Sequence, residues 1–187
     1  MSKALVTFGT GYAADFLDVS LPLMARYAAR HEYDLFVPAP WMIEMFRGGR
    51  HPSWAKLEAC RFLLSSGCET VLWLDADVVV VRGDEDIADH APLDRPMSMV
   101  VQRTPDGAVP SCGVVVFRNC ETTLPLLYAA DAAAAPDGSG LVRSGCWWEQ
   151  AAVIKALGGD PDPTPIVTPP PAFCSSTTRT EILRSIS

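Results

Sequence analysis

Apolar residues along this chain fall into two patterns: short uninterrupted runs that end at glycine or proline, and longer stretches with apolar positions three or four apart. The first run, Ala4 to Phe8, ends in Gly9-Thr10-Gly11, as a buried strand does on entering a turn. Phe16, Val19, Leu23, Tyr27 and Ala28 recur at helical spacing and predict a helix from about Phe16 to His31. Leu35 to Val37 predicts a second strand, stopped by Pro38 and Pro40, and the mixed, glycine-ended stretch Trp41 to Arg50 reads as a loop with one helical turn. Pro52 and Ser53 open a helix, Trp54 to Ser66, with Leu57, Cys60, Arg61 and Leu64 on one side and Gly67 closing it.

Thr70 to Leu74 predicts a strand that runs into Asp75-Ala76-Asp77, followed by Val78 to Val81. Met97 to Gln102 and Gly113 to Phe117 are further strands. Leu124 to Ala135 and Trp147 to Leu157 are helices, the first with Pro125 in its opening turn and the second stopped by Gly158-Gly159. Asp160 to Pro171 is proline-dense and reads as an extended strap, and Arg179 to Ile186 as a short helix. Strands alternating with helices imply an α/β fold with a mainly parallel central sheet flanked by helices. No repeat or boundary divides the 187 residues, so a single domain is expected.

Composition narrows the class. With 49% apolar and 20% charged residues the chain reads as globular, and its formal charge of −7 argues against general nucleic-acid binding. No stretch approaches the roughly 18 apolar residues of a membrane helix, and the N-terminal run is too short for a signal peptide. A cytoplasmic location is the default expectation. The six cysteines, at positions 60, 68, 112, 120, 146 and 174, lack C-x-x-C spacing and read as buried thiols, not as a zinc site or disulfide frame.

Asp75-Ala76-Asp77 carries the clearest chemistry. Two carboxylates one residue apart follow an apolar strand, and on a continuing strand they would share a face. Two like charges held together call for compensation, and Mn²⁺ or Mg²⁺ with oxygen ligands would supply it while leaving positions for phosphate oxygens. A strand end whose carboxylates simply meet solvent is the plainer alternative.

Four further segments give this motif a context. Tyr27-Ala28-Ala29-Arg30-His31-Glu32-Tyr33 looks like a Y-A-x-x-H-G-Y segment, and Pro52-Ser53-Trp54-Ala55-Lys56-Leu57 like a helix opening. Cys112-Gly113 leads an apolar strand that ends in Arg118-Asn119, and Glu149-Gln150 begins an [D/E]-Q-x-A helix. Together, in order, they resemble the GT-A glycosyltransferases, and most of all the retaining galactosyl-, xylosyl- and mannosyltransferases.

The resemblance implies a Rossmann-like GT-A domain, a nucleotide-sugar donor that is UDP-linked, and an acceptor that is a glycan, a protein or a small molecule. It implies metal ligation by Asp77 and by Asp75, which could also hold the donor ribose, with Ala76 between them against the donor. Thr7, Phe8, Gly9, Thr10 and Gly11 would lie against base and ribose, and Lys56 would approach the diphosphate, unless it is a solvated surface lysine. Ser111, Cys112 and Gly113 would stand beside the donor sugar. Glu149 and Gln150 would bind its hydroxyls or steady the oxocarbenium-like transition state, the catalytic assignment. His31 reads as a capping or packing residue, His51 as a substrate contact, and Trp147 or Trp148 as a sugar platform.

One departure stands out. Relatives carry a late histidine that ligates the metal, and this chain has none after His90. Three consequences are open: the metal binds only with the donor diphosphate, Arg179 takes over part of the charge neutralisation, or activity is weak or lost. The chain is short for the family, so an acceptor presented on a large surface or a homo-oligomer completing the site are both expectations. A non-catalytic nucleotide-sugar or glycan binder is one rival reading. A nucleotidyltransferase is another, although Gly9-Thr10-Gly11 lacks a neighbouring Lys or Arg.

Overall fold

The computed structural model describes residues 2–104, 107–133, 148–158 and 183–185. In chain order the elements are β1 (Lys3–Val6), α1 (Ala13–Arg30), β2 (Tyr33–Phe36), α2 (Pro40–Arg47), a 3₁₀ turn (Pro52–Trp54), α3 (Ala55–Ser65), β3 (Thr70–Leu74) and β4 (Val78–Val80). A second 3₁₀ turn (Ile87–His90), β5 (Met97–Thr104), β6 (Gly107–Arg118), α4 (Thr123–Ala132), α5 (Trp148–Ala156) and β7 (Leu183–Ser185) follow.

The central sheet has the order β2-β1-β3-β6-β5. β2, β1 and β3 are parallel, β6 runs against β3, and β5 runs against β6, so four of the five strands point one way. Residue alternation along the strands makes two apolar faces. Leu5, Leu72, Leu74, Val114 and Val116 pack with Met24, Tyr27 and Ala28 of α1. Val6, Val71, Trp73, Val115 and Phe117 pack with residues of α2, α3, α4 and α5. The result is a sheet covered by helices on both faces, the α/β arrangement expected.

Three expectations need correction. Trp41 to Arg50 is not mainly loop, because Pro40 sits in the first turn of α2 and Gly48 ends it in the left-handed conformation (φ 57°). The glycines that suggested a loop are the C-cap, and Ile43 and Phe46, one turn apart, are buried. Within Arg179 to Ile186, Leu183–Ser185 is a strand antiparallel to β4, not a helix. Third, the carboxylate motif does not lie on a continuing strand: β3 ends at Leu74, and the Val78 amide donates to the Asp75 carbonyl at 3.0 Å across a tight turn. The proline-dense segment, Trp147, Cys146, Cys174 and Arg179 lie outside the described residues.

Among the described cysteines, all free thiols, Cys60 and Cys112 are buried as expected and Cys68 is half-buried, but Cys120 is exposed, against the expectation, in the turn that leads into α4. Burial pushes the Cys112 thiol up to about 12, so it is a neutral packing group. No helix among the described residues is long and apolar enough to cross a membrane.

Candidate functional site

The Asp75-Ala76-Asp77 turn is tied down on two sides, by the neighbouring strand β6 and by helix α1. The Asp75 amide donates to the Gly113 carbonyl at 2.8 Å. From the other side, the buried Ser20 hydroxyl of α1 donates to the Ala76 carbonyl at 2.6 Å. Ser20 escaped the sequence reading because a lone serine in an apolar helix carries no signal until the helix is placed.

A β-bulge builds the neighbouring wall. The β5–β6 register jumps from Met99↔Val115 to Val100↔Ser111, which releases the intervening residues of β6 from the β5 ladder. Their backbone groups then serve the site. The Cys112 amide donates to Gln150 Oε1 at 2.9 Å, the Cys112 carbonyl accepts from Lys56 Nζ at 2.9 Å, and the Gly113 amide meets Ser111 Oγ at 3.3 Å. Cys112 thus frames the site through its main chain, and Ser111 braces the Gly113 amide with its hydroxyl.

Lys56 is not a solvated surface lysine. Its side chain is buried, and its ammonium lies 2.8 Å from Glu149 Oε1 and 2.9 Å from Asp75 Oδ1. It also sits 5.1 Å from the centroid of the Trp73 ring. Burial alone would favour the neutral amine, but Asp75 and Glu149 outweigh it and hold the ammonium above its ordinary range. Trp73 Nε1 donates to Asp75 Oδ1 at 2.6 Å, so that oxygen is doubly occupied while Oδ2 faces Gly113. A Cβ at Gly113 would stand 3.3 Å from that Oδ2.

These groups floor a cleft of about 490 Å³. Of the expected residues, Phe8, Gly9, Thr10, Lys56, Asp75, Ala76, Asp77, Glu149 and Gln150 line it. Thr7 does not: it is fully buried, and its hydroxyl has no partner among the described residues. Gly11, which is exposed, and Ser111, Cys112 and Gly113 are not among the lining residues. Gly9 owes its identity to folding, since a Cβ there would lie 2.3 Å from the Ala13 carbonyl oxygen at the start of α1. His51 lines the cleft, its Nδ1 3.0 Å from Ser53 Oγ, and its pKa is lowered mainly by burial. His31 caps α1 instead, with Nε2 2.9 Å from the Gly83 carbonyl.

Sequence reasoning missed Tyr12 and Phe16. They form an edge-on aromatic pair with centroids 6.4 Å apart on the cleft rim, and Tyr12 is 82% exposed. A large exposed aromatic beside a polar cleft is a ready stacking surface for a planar ring. Phe16 reads as the first position of the apolar helical stripe, and Tyr12, lying before that predicted helix, is not singled out.

Charge decides what the cleft can hold. Among the described lining residues Lys56 is the one Lys or Arg, against the carboxylates of Asp75, Asp77 and Glu149. Asp77 is exposed, and its pKa is raised first by partial desolvation and then by the neighbouring Asp75 charge. Among the described residues Lys56 therefore leaves negative charge uncompensated at the turn. The free donor set is oxygen only and open to solvent, which fits a hard divalent cation that also takes phosphate oxygens and water. Among the described residues no third His, Cys, Asp or Glu completes an all-protein metal cage.

No protein-family model matches the chain, and no curated sequence matches it. Similarity appears in three dimensions. A glycosyltransferase involved in the glycosylation of the major capsid of PBCV-1 superposes with a TM-score of 0.58 at 17% identity, over 83% of this chain and 75% of that one. The galactosyltransferase LgtC, solved with donor and acceptor sugar analogs, superposes with a TM-score of 0.51 at 14% identity, over 84% and 71%. At these identities the likeness establishes the fold, which is the GT-A type expected from the ordered segments.

Proposed function

We propose that the protein is a metal-dependent glycosyltransferase that moves a hexose or pentose from a nucleotide-sugar, UDP-linked, to an acceptor hydroxyl. The observation that carries this reading is the carboxylate turn in a cleft with an excess of negative charge. A nucleoside diphosphate is itself an anion, so it could enter only with a cation that satisfies both. Asp77 and Asp75 Oδ2 are the groups that would hold Mn²⁺ or Mg²⁺. That ion, when bound, supplies Lewis-acid neutralisation of the departing diphosphate.

The chain's own groups do the rest. Tyr12 and Phe16 offer a stacking surface for the base. Gln150, fixed through its carbonyl to the Cys112 amide, retains an NH₂ able to donate to a sugar hydroxyl or ring oxygen. Glu149 is 6% exposed and paired with Lys56, so it acts chiefly by positioning that lysine. Retention of configuration rests on the sequence resemblance alone, as do a protein or glycan acceptor, a homo-oligomeric site and a part for Arg179. The nucleotidyltransferase alternative is weakened by the lack of any Lys or Arg on the loop from Phe8 to Thr10.

Incubation with a panel of nucleotide-sugars and Mn²⁺ tests this reading. Released nucleoside diphosphate, lost in Asp77→Ala, supports the enzyme. Donor binding with no metal dependence and no turnover would overturn it in favour of a non-catalytic binder.

A further inference from the structure

We propose that Lys56 is a built-in counter-ion that occupies the inner oxygen of Asp75 and makes divalent-cation binding conditional on the donor diphosphate. This rests on the metal-dependent reading above and adds a cause to it.

Lys56 Nζ has three close oxygen neighbours: it donates to Glu149 Oε1 at 2.8 Å and to the Cys112 carbonyl at 2.9 Å, and it forms an ion pair with Asp75 Oδ1 at 2.9 Å. Each of the three is independently anchored. Glu149 stands on α5, Asp75 is held by Trp73 Nε1 at 2.6 Å, and Cys112 belongs to the bulge of β6. The side chain is buried and stacked over Trp73, so it has little freedom to swing away.

Two consequences follow for a cation at the turn. Asp75 can offer it only Oδ2, which leaves that oxygen and Asp77 as the carboxylate ligands for an ion that prefers six oxygens. The fixed ammonium, 2.9 Å from the same carboxylate, also repels the incoming charge. A diphosphate supplies both missing things, ligand oxygens and negative charge. The cation and the donor therefore bind as a pair, and neither binds well alone.

Electron paramagnetic resonance of free Mn²⁺ measures this without turnover. In wild type, Mn²⁺ alone should bind weakly and UDP should tighten it at least about tenfold. Lys56→Met should tighten Mn²⁺ alone by about tenfold and shrink the UDP effect correspondingly. Because Lys56→Met strands the buried Glu149 carboxylate, Lys56→Met/Glu149→Gln is the companion variant. It should also bind Mn²⁺ alone several-fold more tightly than wild type. If both variants match wild type within twofold while UDP and Mn²⁺ still bind together, the counter-ion role is wrong and the donor reading stands. If wild type already binds Mn²⁺ tightly without UDP, the role is likewise wrong. If no form binds UDP with Mn²⁺, the donor reading itself fails and takes this inference with it.

Discussion

Two lysine–carboxylate clusters lie on opposite faces of the same sheet, and they use their charges differently. On the α1 face, Asp86 accepts from Lys3 Nζ at 2.9 Å, Tyr33 OH at 2.7 Å, Tyr27 OH at 3.1 Å and the Ala88 amide at 3.0 Å. Both carboxylate oxygens are spent on groups of the fold. On the α3 face, Lys56 joins Asp75 and Glu149, yet Asp75 and the exposed Asp77 both line a cleft. The first cluster is closed and serves stability; the second is left incomplete and can serve a ligand. Burial of a charged pair alone does not separate the two. The difference lies in whether the hydrogen-bonding capacity is exhausted within the chain.

The largest expected separation comes from exchanging a single carboxylate in each. Asp77→Ala should lower donor turnover by about 100-fold or more while leaving the melting curve nearly unchanged, since the side chain is exposed. Asp86→Asn should do the reverse, costing about 2 kcal/mol in urea unfolding with little change in KM. Equal effects of the two variants on turnover would break the comparison.

The closed cluster also has a pH signature. Burial tends to raise the Asp86 pKa, but the bonds from Lys3, Ala88 and Tyr33 outweigh it, and the folded value lies below the ordinary one. A depressed folded pKa means stability that is fully present above the unfolded value, near 4, and lost as pH falls through the folded value. Acid unfolding curves of wild type should therefore show a loss below about pH 4 that Asp86→Asn lacks in part.

Gly113→Ala sharpens the open cluster. Its Cβ would press on Asp75 Oδ2 at 3.3 Å, so a several-fold loss in affinity for UDP with Mn²⁺ is expected, with a stability change under about 1 kcal/mol. The smallest effect concerns Glu32, which holds the left-handed conformation at φ 59° between His31 and Tyr33. Glu32→Gly relieves that strain and should stabilise the fold by up to about 1 kcal/mol, read from thermal melting, with unchanged donor affinity.

Much of the fold was legible in the sequence because burial imposes periodicity. The run Thr70 to Leu74 is buried at every position, and it was recognisable as a strand for that reason. Helix α1 was readable through Pro22, since its apolar spacing continues past the proline. Helix α2 was not, because eight residues with two buried positions give a weak pattern and its cap glycines resemble a turn. At the site, Asp75, Asp77, Lys56, Glu149 and Gln150 were identifiable from motif order. What was hidden depended on long-range placement: the β6 bulge, the Ser20 latch, the burial of Lys56 and the aromatic rim. A bulge has no local composition of its own here, and a lysine's burial depends on carboxylates 19 and 93 residues away in the chain.

The most direct measurement of the central claim is anomalous scattering from crystals of the protein soaked with UDP and Mn²⁺. One manganese peak is expected beside the diphosphate at Asp75 and Asp77, the residues that would hold it, with the base beside Tyr12 and Phe16. A nucleotide bound without metal, or a metal bound away from the Asp75-Ala76-Asp77 turn, would contradict it.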